Sequence, residues 1–148
     1  MQLVVGYRHT GIIVQDMEKS LQFYRDILEL EVIQDYSDES DFINTVLGLN
    51  GACIRMVKLK SKDGNIIELL KYTNHPTEKL DIPFYNVGIC HIAFAVNELN
   101  KIYEKIEREG FEIISKPLLG SEKIAKVFFC VDPNGMRIEL VQMINKKK

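Results

Sequence analysis

The sequence predicts an α+β protein built from two βαβββ modules, and three observations carry that expectation. The phrase Gly-x-x-Ile-Glu-Leu occurs twice, at residues 64–69 and 135–140. The stretch HTGIIVQDMEKSLQFYRDILELEVI, starting at His9, is echoed by HIAFAVNELNKIYEKIEREGFEII, starting at His91. Within each copy, apolar residues alternate, then recur at helical spacing, then alternate again. Both copies reach a valine five positions after the histidine (Val14, Val96) and an acid two positions later (Asp16, Glu98). The histidines lie 82 positions apart but Glu68 and Glu139 only 71, so the first copy holds extra chain, assigned to a loop in the polar stretch 37–50.

In chain order, residues 7–14 read as a strand. Asp16 can cap a helix whose apolar positions Met17, Leu21, Tyr24 and Leu28 follow the 3.6-residue period. Strands follow at 31–34, 53–59 and 65–71, the last two joined by a Ser-Lys-Asp-Gly turn. Residues 73–86, with Asn74-His75-Pro76 and Pro83, read as a linker. The second copy gives a strand at 90–96 and a helix carrying Leu99, Ile102, Tyr103 and Ile106, with Gly110 placed to end it. Strands at 111–115, 126–131 and 136–142 complete it, the last after an Asp-Pro-Asn-Gly turn. The modules are thus 1–72 and 89–148, the latter including a basic tail, joined by a linker at 73–88 into one structural domain.

The 148 residues are enough to bury a substantial core, and 46% apolar with 27% charged residues is ordinary for a soluble globular chain. Nineteen basic against 21 acidic residues leave a net charge of −2, which offers no global field for nucleic acid. No apolar run approaches the roughly 20 residues of a membrane span. The N-terminal MQLVVGYRH lacks a basic and then long apolar region, which predicts no secretory signal. Cys53, Cys90 and Cys130 are widely spaced and odd in number, as expected of a reducing cytoplasm rather than of disulfides, and each reads as core filler. The Lys146–Lys148 tail reads as a solvated end.

Strand alternation places the polar residues of the repeated motifs. Ile12 and Val14 share one face of the first strand, and His9 shares the other with Gly11 and Ile13. Likewise Ile92, Phe94 and Val96 oppose His91, Ala93 and Ala95. Glu68 is out of phase with Ile67 and Leu69, and Glu139 with Ile138 and Leu140. All four polar side chains therefore fall on the non-helical faces, beside residues small enough to leave a hollow. Two imidazoles and two carboxylates are a donor set for a divalent transition metal, and a metal would offset the cost of burying Glu68 in an apolar run. Arg137, two residues before Glu139, shares its face and either holds a substrate anion or is solvated at the strand entrance. His75, in the linker, is not expected to ligate.

The motifs RHTGIIVQDMEKSLQFYRDILEL, GICHIAFAV and VDPNGMRIELVQ resemble the βαβββ modules of the vicinal oxygen chelate superfamily, which includes glyoxalase I, methylmalonyl-CoA epimerase, extradiol dioxygenases and bleomycin-resistance proteins. The resemblance runs over residues 7–142. It implies a curved mixed sheet around a metal site, each module giving one ligand from its first strand and one from its last: His9 and Glu68, then His91 and Glu139. It further implies one divalent ion per site, zinc, nickel, cobalt or manganese ahead of iron. The activity implied is that of a glyoxalase-type, lactoylglutathione lyase-like lyase or isomerase that stabilises an enediolate or enolate of a small oxygen-chelating substrate. In it Glu139 acts as base with Glu68 as counterpart, or both only ligate. An epimerase-like isomerase, an extradiol-type iron dioxygenase using His9, His91 and Glu139, and a small-molecule (antibiotic) binding protein are the alternatives. A homodimer is implied, its site formed within one chain or shared between two.

Overall fold

The computed structural model describes residues 2–88 and 90–144, so the Lys146–Lys148 tail lies outside the described residues. The chain divides into two compact units, Met1–Glu78 and Lys79–Lys148.

In the first unit, β1 (Thr10–Ile13) leads into α1 (Met17–Leu21). Asp16 caps that helix, its Oδ1 accepting the Lys19 N–H at 3.0 Å. The helix continues as a π-helical segment, Gln22–Ile27, closed by Leu28 N–H donating to the Phe23 carbonyl. The wider turn lets Phe23, Tyr24 and Ile27 all join Met17 and Leu21 in the core, with Phe23 and Tyr24 edge to face at 5.1 Å. Strands β2 (Glu31–Asp38), β3 (Ile54–Lys60) and β4 (Ile66–Tyr72) follow. The sheet order is β1-β4-β3-β2, with β1 parallel to β4 and the other pairs antiparallel.

The extra chain at 37–50 is not a loop. It is the end of β2 and a helix, α2 (Asp41–Leu47), whose N-cap Ser40 accepts the Ile43 N–H and whose end is turned by Gly48 at φ +66°. Ile43 and Leu49 anchor this segment on Ala52 and on Ile54 and Met56 of β3. The sequence hid α2 because this short helix is flanked by Ser-Asp-Glu-Ser and Gly-Leu-Asn-Gly, which suit turns.

The second unit repeats the plan: β5 (Ile92–Ala95), α3 (Leu99–Arg108), β6 (Leu118–Leu119), β7 (Ala125–Val131) and β8 (Arg137–Met143), in the order β5-β8-β7-β6. Gly110 follows the helix at φ +75°, as expected. The strand expected at 111–115 does not form. Ile113 makes only an isolated bridge to Cys130, because the N–H groups of Ile114 and Ser115 both turn to the Phe129 carbonyl and the Ser115 Oγ takes the Phe129 N–H. Pairing resumes only beyond Pro117, which has no N–H to give.

Candidate functional site

Each unit builds the same small device. In the first, β1 lies parallel to β4 with Gly11 opposite Glu68, so His9, two residues earlier on the same face, reaches along the strand to that carboxylate. His9 Nε2 stands 3.1 Å from Glu68 Oε2. In the second, Ala93 lies opposite Glu139, and His91 Nε2 stands 3.0 Å from Glu139 Oε2. The alternation read from sequence holds: Ile12, Val14, Ile67, Leu69, Ile138 and Leu140 are buried on the helical faces. At Gly11 an added Cβ would come within 3.3 Å of Leu70 Cδ1, so a larger residue there would press on the Leu70 side chain on the site face.

Four sequence-predicted residues therefore stand as two His–Glu pairs, one in each unit. Among the described residues, no group of three or more His, Cys, Asp or Glu side chains is gathered to hold a metal. Arg137 does lie on the Glu139 face, but its guanidinium is already engaged. It donates to the Ile82 carbonyl and lies 4.5 Å over the Phe84 ring. His75 instead sits against Asn74 Oδ1 (3.1 Å) and the Tyr72 ring.

Sequence reasoning missed the residue directly across the strand pair from each glutamate. Lys58 faces Glu68 and Phe129 faces Glu139. Lys58 Nζ is 3.6 Å from Glu68 Oε1, with only 16% of its side chain exposed. The two oxygens of Glu68, itself 8% exposed, thus face an imidazole and an ammonium. That answers part of the burial cost for which sequence alone called on a metal. Phe129 instead packs edge to face on the His91 ring at 5.4 Å, with Phe84 against both. The signal was present: both partners stand ten residues before their glutamate, the distance set by folding each hairpin about its Gly-containing turn.

The cysteines divide. Cys130 is buried core, its thiol pushed up to about 12 by burial and by nearby Asp132, and so is chemically quiet. Cys53 is half-buried. Cys90, also half-buried, holds its Sγ 2.7 Å from His91 Nδ1, on the far side of the ring from Glu139.

The family described as Glyoxalase/Bleomycin resistance protein/Dioxygenase superfamily matches residues 6–140. A probable lactoylglutathione lyase of Synechocystis is 32% identical over 141 residues, covering 94% of this chain and 96% of its own length. A crystal structure of a glyoxalase family protein from Bacillus cereus superposes with a TM-score of 0.88 at 18% identity, covering 97% of both chains. The fosfomycin resistance protein of Listeria monocytogenes, solved with Mn(II) and sulfate, gives a TM-score of 0.66 at 21% identity, covering 98% of both chains. No helix among the described residues is long and apolar enough to cross a membrane.

Proposed function

Because the chain belongs to the glyoxalase/bleomycin resistance protein/dioxygenase superfamily, we propose that it is a divalent-metal-dependent lyase or isomerase of the glyoxalase type, with His9, Glu68, His91 and Glu139 as the metal ligands. The observation that carries the reading is the duplicated pair, a His Nε2 and a carboxylate oxygen 3.0–3.1 Å apart at matched positions of both units. The donor atoms, two imidazole Nε2 and two carboxylate groups, are of the kinds that would hold a divalent transition metal.

A divalent ion held there would supply Lewis-acid polarisation of a substrate's vicinal oxygens. The chain's own contribution is to hold the donors and move a proton. Glu139 is the better proton carrier of the two carboxylates. Taking up a proton on Glu68 would leave the Lys58 ammonium without its counter-charge, whereas the position opposite Glu139 holds the Phe129 ring. Cys90 at Nδ1 orients the His91 ring so that Nε2 faces the carboxylate. The lactoylglutathione lyase relative supports a thiol adduct of a 2-oxoaldehyde as the first substrate to assay.

Titration of the metal-free protein with Ni(II) or Mn(II) is the test. Saturable binding is expected in wild type and weakened binding in His9→Ala and His91→Ala. Glu139→Gln should keep the metal but lose about 100-fold to 10,000-fold in turnover, measured with thiol plus methylglyoxal and by deuterium exchange into an acyl-CoA. Wild-type protein that shows no saturable metal binding near neutral pH would remove the reading. The same reading carries a homodimer, checked by light scattering at micromolar concentration.

A further inference from the structure

The two units use the same backbone position for opposite chemistry. Opposite Glu139 the second unit carries the apolar Phe129, and opposite Glu68 the first carries the cationic Lys58. The two oxygens of Glu68 thereby have different partners. Oε2 faces His9 Nε2 at 3.1 Å, and Oε1 faces Lys58 Nζ at 3.6 Å. The ammonium is also held from β2, where the centroid of the Tyr36 ring lies 5.8 Å away. Lys60, the next lysine on that face of β3, pairs with Glu31 at 3.1 Å and offers no substitute. Glu139 has no such division. His91 Nε2 lies 3.0 Å from its Oε2, and Phe129 brings no charge. Arg137, the one cation on its strand, is engaged with the Ile82 carbonyl and the Phe84 ring.

This division limits how Glu68 can serve an ion. His9 Nε2 and Glu68 Oε2 already face each other, so they are the two atoms of the first unit placed to share one. To give both oxygens, the carboxylate would have to turn Oε1 away from Lys58. That would leave an ammonium whose side chain is only 16% exposed without its counter-charge. Lys58 cannot follow Oε1, because it would then approach a divalent cation. Ligation through Oε2 keeps the ion pair intact. Glu139 meets neither penalty, and its side chain is 24% exposed against 10% for Glu68.

We propose that Lys58 is a positioning residue, which restricts Glu68 to ligation through one oxygen and so keeps a coordination position open. The inference rests on the ligand reading above and deepens it. Two imidazoles and two carboxylates giving one oxygen each fill four positions. An ion that accepts six then retains two, the number that the vicinal oxygens of a substrate need. A second oxygen from Glu68 would take one of them. Partners behind a ligating carboxylate orient it in this way, and Lys58 stands in that place.

The test counts open positions without turnover. Mn(II) is titrated into metal-free wild type, Lys58→Met and Lys58→Arg, and the water on the bound ion is counted by water-proton relaxation. Lys58→Met is expected to carry one water fewer than wild type, which at two open positions is a fall of about half in the relaxation enhancement. Lys58→Arg, which keeps the charge, should match wild type. Infrared difference spectra of the same samples give a second readout. The gap between the two carboxylate stretches narrows when a carboxylate binds through both oxygens. The Glu68 bands, identified by their loss in Glu68→Gln, should narrow in Lys58→Met and not in wild type or Lys58→Arg. A merely structural lysine would change the melting temperature and leave both readouts where they were. If Mn(II) saturates wild type and Lys58→Met, and the variant holds as many waters as wild type or more, the role of Lys58 is overturned while the ligand reading stands. If Mn(II) fails to saturate wild type, the ligand reading falls and this inference falls with it. A Lys58→Met protein whose circular dichroism departs from wild type is replaced by Lys58→Leu, for which the same loss of one water is expected.

Discussion

Glu68→Leu, measured in protein kept metal-free with a chelator, isolates what the fold alone does for this carboxylate. The wild-type group is 8% exposed and faces His9 Nε2 at 3.1 Å and Lys58 Nζ at 3.6 Å. Removing one member of a fully buried ion pair costs about 3–5 kcal/mol, because the partner's charge is left buried and unpaired. Here Lys58 keeps 16% and His9 33% of their side-chain surface, so water recovers part of that cost. The expected loss is about 1–2 kcal/mol. In a chain of this length 1 kcal/mol shifts the melting temperature by about 2–4 °C, so the midpoint should fall by about 2–8 °C in a circular-dichroism melt. The double variant Lys58→Met/Glu68→Leu replaces both charges with apolar groups on adjacent strands. It should recover to within about 0.5–1 kcal/mol of wild type, a coupling of about 1 kcal/mol for the pair. If Glu68→Leu melts with wild type, or if the double variant is as unstable as the single, Lys58 is not what makes Glu68 tolerable in the sheet.

Three further outcomes are expected. The Asp35 carboxyl is held below its ordinary range by hydrogen bonds from Arg55, so its contribution to stability is present above the usual carboxylate range and lost as pH falls through the lowered value. Asp35→Asn should therefore be less stable than wild type by at most about 1 kcal/mol near pH 7, given the pair's exposure, with the two urea midpoints converging under strongly acidic conditions. Gly64→Ala should cost about 1–2 kcal/mol by chemical denaturation, because φ is +91° while an added Cβ would meet nothing within 4 Å, so the backbone alone sets the loss. Phe128→Ala, at a fully buried ring under α3, should cost about 3–5 kcal/mol, and a near-neutral result would mean the second core is not packed as described.

The periodicities of 2 and 3.6 made most of the architecture legible, because burial on one face is all that either pattern needs. The duplicated motif did more. It matched His9 with His91 and Glu68 with Glu139 before any coordinates, since corresponding positions of a repeat take corresponding places in their sheets. What escaped were features set by register or by local competition for hydrogen bonds. Lys58 reads as an ordinary strand lysine until β3 is folded onto β4. Residues 111–115 have strand-like composition, yet Ser115 takes the Phe129 N–H with its side chain, a contact that alternation cannot anticipate. The π-helical widening at Gln22–Ile27 follows from the demand that two adjacent aromatic residues be buried together, which no helical period contains.

Duplication also separates what the fold imposes from what the site selects. Positions needed by the βαβββ plan agree between the units: apolar residues on the helical faces, a glycine before each final strand, and a small residue, Gly11 or Ala93, opposite each glutamate. The His–Glu pair agrees as well, at 3.1 and 3.0 Å. A pair that merely filled a fold position could be replaced by apolar residues at little cost, as the rest of each strand shows. Keeping both charges and both rings in the two copies, while the residue opposite the glutamate diverged from ammonium to phenyl, divides the device into a shared part and a differentiated part. The shared part has the donor atoms an ion requires. The differentiated part has the features that tell one ligand from another, a charge in the first unit and aromatic faces, Phe129 and Phe84, in the second. Substrate choice should therefore respond to changes at Lys58 and Phe129, and metal affinity to changes at the histidines and glutamates.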